Sequence, residues 1–326
     1  MRAAPLPPGL PLEFATRAAE AHGLSSSRLR AGDLDRPFRG ARIRRDQARS
    51  PNPYEAAVQH ELSLIHALGA RLVEGQFICH RSAALLWGAP MPYRAVPDLH
   101  LGTLLPQRAP RVRNATGHGF EPHRVSLTER AGLPLTTPES TFATLGSLSL
   151  TSLVAIGDHL VRRYRAGYGR RNVGKPPYTT IELLAAAVEI GRWRGASKLR
   201  QALSLIREDS WSPRESNTRV TLVLGGLPEP ELNVDVFDRD GFFVACPDMI
   251  YRRYKIAIEY QGEQHAESYA QDIERIERLA AENWHVIQVT NELGRRPYLL
   301  VARVAEKLRS RGWNGEAIES GRAAWQ

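Results

Sequence analysis

Hydrophobic spacing divides the chain into a long stretch of mainly helical period and a C-terminal stretch that switches between helical and strand periods. Ala57, Val58, Leu62, Ile65 and Leu68 fall at helical intervals, so residues 54–68 predict an amphipathic helix with those side chains in a core. A helical stretch from about Glu13 to Ala21, then Gly23, then Ser25-Ser26-Ser27 before Arg28-Leu29-Arg30 reads as helix, turn and second helix. Phe38 to Arg45 follows as a candidate basic strand or wing, the pattern of a winged-helix reader. Ile78 to Gly88 predicts another short helix, and Leu99 to Leu135 a run of short strands and turns. Leu133 to Glu139 ends a loop and caps the next helix, and further helices are expected around Ser149–Tyr164, Thr180–Ile190 and Ser197–Arg207.

From Ser212 the pattern sharpens. Ser212-Pro213-Arg214-Glu215 is a capping box, with Ser212 as N-cap and Pro213 at the first helical position, and Gly225-Gly226 stops the helix it starts. Glu231 to Phe237 alternates as a strand, Asp238-Arg239-Asp240-Gly241 turns the chain, and Phe242 to Ala245 returns it as a hairpin. Tyr254 to Gln261 is a third strand, 268–283 a helix with Tyr269, Ile273, Ile276 and Leu279 on one face, His285 to Thr290 a fourth strand, and Pro297 to Arg311 a last helix. The fold class expected is α/β: a C-terminal core of helix, three strands, helix and strand behind a mainly helical, basic N-terminal region. The divisions expected are a helix-turn-helix-like segment over 1–50, a mainly helical region over 51–206 and the α/β domain over 207–326.

Charge separates the same regions. Residues 1–206 carry 28 Lys+Arg against 15 Asp+Glu, and 207–326 carry 16 against 20. A basic half suits the phosphates of a polyanion, and an acidic half suits hard divalent cations, although a solvated basic face would give the same count. Arg28 and Arg30 in the second helix, and Arg162, Arg163, Arg165, Arg170 and Arg171 beside Tyr164 and Tyr168, are the candidate phosphate contacts, with DNA as the partner. No apolar run approaches the roughly 20 residues of a membrane helix. The start, with Pro5, Pro7, Pro8 and Pro11, lacks a secretion core, so no membrane partner and a cytoplasmic location are expected. Cys79 and Cys246 are read as small buried thiols, and His80, His100, His118 and His123, which lack the spacing of a zinc helix, as structural or surface histidines.

Period-two geometry in the third strand puts Ile256, Ile258 and Tyr260 on one face and Lys255, Ala257, Glu259 and Gln261 on the other. Glu259 is a carboxylate in an apolar strand, which requires a cation, a hydrogen-bond network or an aqueous cleft. Asp248, at the end of the preceding strand or in the turn joining it, is placed to share a metal with it; the alternative is that Asp248 caps a turn and Glu259 pairs with Arg275 or Lys255.

The order of elements, with Asp248 and Glu259-Tyr260-Gln261 on the central strands, resembles the PD-(D/E)xK nuclease superfamily. Pro247-Asp248-Met249-Ile250-Tyr251, Ile258-Glu259-Tyr260-Gln261-Gly262 with His265, Asp272 with Arg275 and Leu279, and Trp284 to Thr290 look like the very-short-patch-repair-like endonucleases, over about residues 212–311. Cys79 to Leu85 and Thr136 to Thr141 more weakly resemble the abortive-infection type IV antitoxin domain, which raises a toxin as a second partner that no motif identifies. The resemblance implies a Mg²⁺- or Mn²⁺-dependent endodeoxyribonuclease acting in DNA repair or defence against foreign DNA. It implies Asp248, Glu259 and the Tyr260 carbonyl as metal ligands, Gln261 positioning water, and Glu215 supporting a second metal or a bridging water; Arg275, near one helix face with Asp272 and Leu279, is placed to contact either the scissile phosphate or Glu259.

Gln261 stands where the superfamily has lysine. Lys255 lies about 20 Å away at roughly 3.3 Å per strand residue, too far to substitute, so His265 is the nearest candidate acid or base. The competing class is a non-catalytic DNA-binding regulator or antitoxin on a degenerate nuclease fold.

Overall fold

The computed structural model describes residues 4–45, 50–261 and 269–315. It is mixed α/β and divides into two compact units, 1–147 with 182–196 and 148–181 with 197–326. Residues 148–181 and 197–206, grouped by sequence with the basic region, belong by contact to the second unit. No helix among the described residues is long and apolar enough to cross a membrane.

The first unit opens with β1 (Glu13–Ala15), α1 (Thr16–Ala21), β2 (Leu34–Asp35) and β3 (Ala41–Arg44), the strands ordered β1-β3-β2. The wing is thus a strand. The second helix of the expected pair is only a 3₁₀ turn over Arg28–Arg30, too short to lie along a groove. Its sequence explains the shortening: Ser25 Oγ accepts from the Arg28 N–H and meets Ser27 Oγ, so the serines hold a turn instead of propagating a helix. Residues 13–15, expected as helix, pair with β3.

Asn52 accepts from the N–H groups of Tyr54 and Glu55 and so caps α2 (Pro53–Gly69). Ile65 and Leu68 are buried as expected, but the buried face of α2 also carries Glu61, which forms a bidentate ion pair with buried Arg81 at 2.8 and 3.0 Å. Then come β4 (Gln76–Ile78), α3 (His80–Leu86), β5 (Leu99–Leu104), β6 (Ala115–Phe120), β7 (Leu127–Arg130), β8 (Leu133–Thr136) and α4 (Pro138–Ala143). These strands form a five-stranded sheet, β6-β5-β4-β8-β7.

The second unit begins with α5 (Leu150–Val161). After it, α6 (Ile181–Glu189) runs almost wholly in the first unit, and α7 (Ala196–Leu205) leads back. α8 (Pro213–Leu224) starts at the expected cap, where Ser212 Oγ accepts from the Glu215 N–H, and ends at Gly225. The strand expected over Glu231–Phe237 is broken into β9 (Glu231–Leu232) and β10 (Val236–Phe237), because Asn233 takes a left-handed conformation at φ 50°. The hairpin of β10 with β11 (Phe243–Ala245) is therefore a sheet of its own.

The main sheet of this unit runs β14-β13-β12-β9, made with β12 (Met249–Tyr251), β13 (Ile256–Tyr260) and β14 (His285–Val289). β12 and β13 are antiparallel, β13 and β14 parallel, and α9 (Tyr269–Ala281) connects the parallel pair. α10 (Asn291–Gly294) and α11 (Pro297–Ser310) follow. The two faces of β13 separate as its alternation requires. Ile256 and Ile258 pack with Leu222 of α8 and Leu300, Val304 and Leu308 of α11, while Ala257 packs with Leu279 of α9 and Trp284. Ile273, expected on the inner face of α9, is exposed.

Arg219 of α8 is fully buried and joins four segments of the unit. Its guanidinium donates to Asp158 Oδ2 on α5 at 3.2 Å, the Leu205 carbonyl at 2.6 Å and Glu229 Oε1 at 2.9 Å, and Asp158 also accepts from Ser216 Oγ and the Arg207 N–H. Burial pushes the Asp158 carboxyl up and Arg219 pulls it back. Arg219→Met should cost about 3–5 kcal/mol, because a buried carboxylate loses its counter-ion. Urea unfolding measures this, and adding Asp158→Asn should recover part of the loss. A single-variant cost under about 1 kcal/mol would show that the ion pair does not hold these helices.

Candidate functional site

Asp248 and Glu259 come together through strand pairing. Met249 lies opposite Ile258 in the antiparallel ladder, so the register continued by one residue sets Asp248 against Glu259. The Tyr260 N–H donates to Asp248 Oδ2 at 2.7 Å, fixing the carboxylate at the end of β13. Glu259 is buried on the α9 side, and Arg275 of α9 donates to its Oε2 at 2.9 Å from a side chain that is 37% exposed. Arg275 therefore bridges solvent and a buried carboxylate.

Glu215 enters the same cluster from the first turn of α8. Its Oε2 accepts from the Trp211 N–H and from Asn233 Nδ2, both at 2.8 Å, so it reaches one residue beyond the N-cap that a capping box would satisfy. Burial, then the neighbouring charge of Asp248, pushes the Glu215 carboxyl above its usual range. Burial likewise raises Asp248, against the Tyr260 N–H and the Arg275 charge, which lower it.

Asn233, which sequence reasoning passed over, orders these groups. It is buried; its N–H donates to the Asp248 carbonyl at 3.0 Å, and Nδ2 donates to the Asp209 carbonyl and to Glu215. Its own carbonyl accepts from Arg170 at 3.0 Å. The signal was an asparagine within an alternating strand, where the residue is disfavoured but tolerates a positive φ.

The remaining expected residues divide. Gln261 follows β13, half-buried, its N–H bound to the Val289 carbonyl. The Tyr260 hydroxyl meets Asn291 and Arg214. Lys255 is turned away: its ammonium donates to the Glu282 carbonyl at 3.0 Å and lies over Trp284. His265 and the Asp272 side chain lie outside the described residues.

The arginines proposed for phosphate are mostly engaged within the chain. Arg28 grips Asp33 at 2.7 and 2.9 Å, while Arg30 and Arg171 are exposed. Arg163 pairs with Glu208 at 2.7 Å, Arg165 with Asp209, and Arg170 with Asp235 at 2.8 Å. Arg162 donates to the Trp211 carbonyl and lies over Tyr164. The aromatic and arginine residues do stack, but on one another.

No protein-family model, curated protein or solved structure matches this chain.

If Asn233 holds the cluster, Asn233→Gly, which keeps the backbone but removes the amide, should cost about 1–3 kcal/mol. Asn233→Ala should cost about 1–2 kcal/mol more, because a Cβ at positive φ is strained. Denaturant titration compares them, and equal losses would remove the conformational part of the argument.

Proposed function

We propose that this chain is a metal-dependent endodeoxyribonuclease that hydrolyses DNA phosphodiester bonds. The observation that supports this best is the convergence of Glu215, Asp248 and Glu259 at one end of a four-stranded sheet: Asp248 opposes Glu259, its charge acts on Glu215, and Arg275 acts on both Asp248 and Glu259. Three carboxylates against one arginine leave negative charge that a hard cation would offset.

The donors fit Mg²⁺ or Mn²⁺, since Asp248 and Glu259 offer carboxylate oxygens and Tyr260 a carbonyl. Bound there, the ion would lower the pKa of a water and offset charge on the phosphate. The chain's own contribution is positional. The Tyr260 N–H and Asn233 hold Asp248 in place. Gln261 carries a neutral amide that cannot take a proton near neutral pH, so its role is to orient the attacking water by hydrogen bonding. Glu215 is held by Trp211 and Asn233 through Oε2, a fixed position from which its carboxylate would support a second metal or a bridging water.

The Arg275–Glu259 ion pair favours a second reading, a DNA-binding regulator or antitoxin in which the nuclease-like core is only a scaffold. An arginine beside Glu259 supplies the countercharge that a cation would otherwise provide.

Plasmid nicking with Mg²⁺ separates the two. Asp248→Ala or Glu259→Ala should abolish cleavage while leaving unfolding and DNA binding close to the parent, and Gln261→Ala should slow cleavage without preventing metal binding. Arg275→Ala should lower the melting temperature, and Mg²⁺ should restore it under the nuclease reading. No cleavage by the parent, together with no Mg²⁺ effect on Arg275→Ala, would leave the scaffold reading standing.

A further inference from the structure

The first unit contains a second cluster, of opposite chemical character. Cys79 follows β4 and is the N-cap of α3; its N–H reaches the His100 carbonyl on β5 at 3.4 Å. β5 pairs in turn with β6, with Gly102 opposite His118. Three neighbouring strands thus bring Cys79, His100 and His118 to one place, although they are far apart in sequence. His80, the first residue of α3, completes the group. Its ring stacks on that of His118 with centroids 3.8 Å apart, and its Nδ1 lies 3.3 Å from Cys79 Sγ.

We propose that Cys79, His80 and His118 form a transition-metal site that takes Zn²⁺. One ligand atom from each of the three lies within 4.8 Å of the others. Zinc distances of about 2.3 Å to sulfur and 2.0–2.1 Å to nitrogen call for tetrahedral edges of about 3.5 Å. The Cys79–His80 edge, at 3.3 Å, is near that already, and no edge exceeds 4.8 Å. A thiolate with two imidazoles is a soft to borderline set that suits Zn²⁺ and not Mg²⁺.

Two further features fit the assignment. His80 adopts φ 50°, a left-handed conformation that a non-glycine residue takes at a cost. Behind His118 stands a relay: His118 Nε2 and His100 Nδ1 are 2.9 Å apart, and His100 Nε2 is 3.1 Å from Asp98 Oδ1. A carboxylate–histidine pair of this kind fixes the orientation and basicity of a metal-binding ring. The surroundings are otherwise apolar, with Phe77, Phe120 and Val125 packed around Cys79, a setting in which a bound ion would be shielded from water. Bound there, with water in the fourth position, Zn²⁺ would join the β4–α3 junction to the edge strand β6, independently of any nuclease activity.

The test uses the full-length chain with any affinity tag removed and purified without chelator. Elemental analysis should find one zinc per chain, and Co²⁺ titration of the stripped protein should give a thiolate-to-cobalt charge-transfer band that excess Mg²⁺ does not displace. Cys79→Ser should lose the band, and Cys246→Ser should keep it. His118→Gln, on a half-buried edge-strand position that a fold change is least expected to follow, should weaken Co²⁺ binding even if Cys79→Ser fails to fold. His100→Gln, a positioning change, should weaken it by about 10- to 100-fold while keeping the band. Substoichiometric zinc with no cobalt band would overturn the proposal, as would a band that His118→Gln leaves at parent affinity.

Discussion

The carboxylate cluster depends on the left-handed turn at Asn233. Were residue 233 in extended conformation, β9 and β10 would form one strand and the alternation from Glu231 to Phe237 would continue unbroken. The turn detaches the hairpin from the main sheet and places one buried amide between three segments. Asn233 meets the loop carbonyl of Asp209, the carboxylate of Glu215 and the backbone of Asp248. Asparagine suits this position twice over, because it tolerates positive φ and because its amide can donate to two acceptors at once. The strand break and the tie between Glu215 and the backbone of Asp248 thus meet at a single residue.

Much of this was legible, and what was not has a physical reason. The cap at Ser212, the two faces of β13 and the boundaries of α9, β14 and α11 follow from local periodicity and local hydrogen bonding, which sequence displays directly. Asn233 was missed because a broken strand and a continuous one share the same apolar alternation. The second N-terminal helix was overread, because three serines before an arginine-rich turn cap a helix and compete with one through the same side-chain oxygens. His80, His100 and His118 were set aside for want of helical spacing, yet sheets bring residues together by register, and no local pattern reports the pairing of β4 with β5 and β5 with β6.

Charge illustrates the same limit. The basic and acidic parts of the chain look separate when counted along the sequence, but Arg163, Arg165 and Arg170 pair with Glu208, Asp209 and Asp235 inside the second unit. Those charges are spent largely on one another, and the exposed pairs among them contribute little stability each. The field that DNA would meet is therefore not the sum of the arginines. Of the arginines expected to meet phosphate, Arg30 and Arg171 are exposed.

Arg275 sets the sharpest constraint on the proposed chemistry. Glu259 is buried, and the arginine from α9 offers it countercharge across a 2.9 Å contact. A cation at the Asp248–Glu259 position would compete for that role, so occupancy by metal and pairing by Arg275 are coupled whichever is stronger. Arg275 is more than a third exposed, whereas Glu259 is buried. A guanidinium released by metal at the rim of the cluster would be the side chain best shaped to receive a phosphate through paired hydrogen bonds. Under the proposed nuclease activity, pairing with Glu259 and gripping the phosphate would then fall to the same residue.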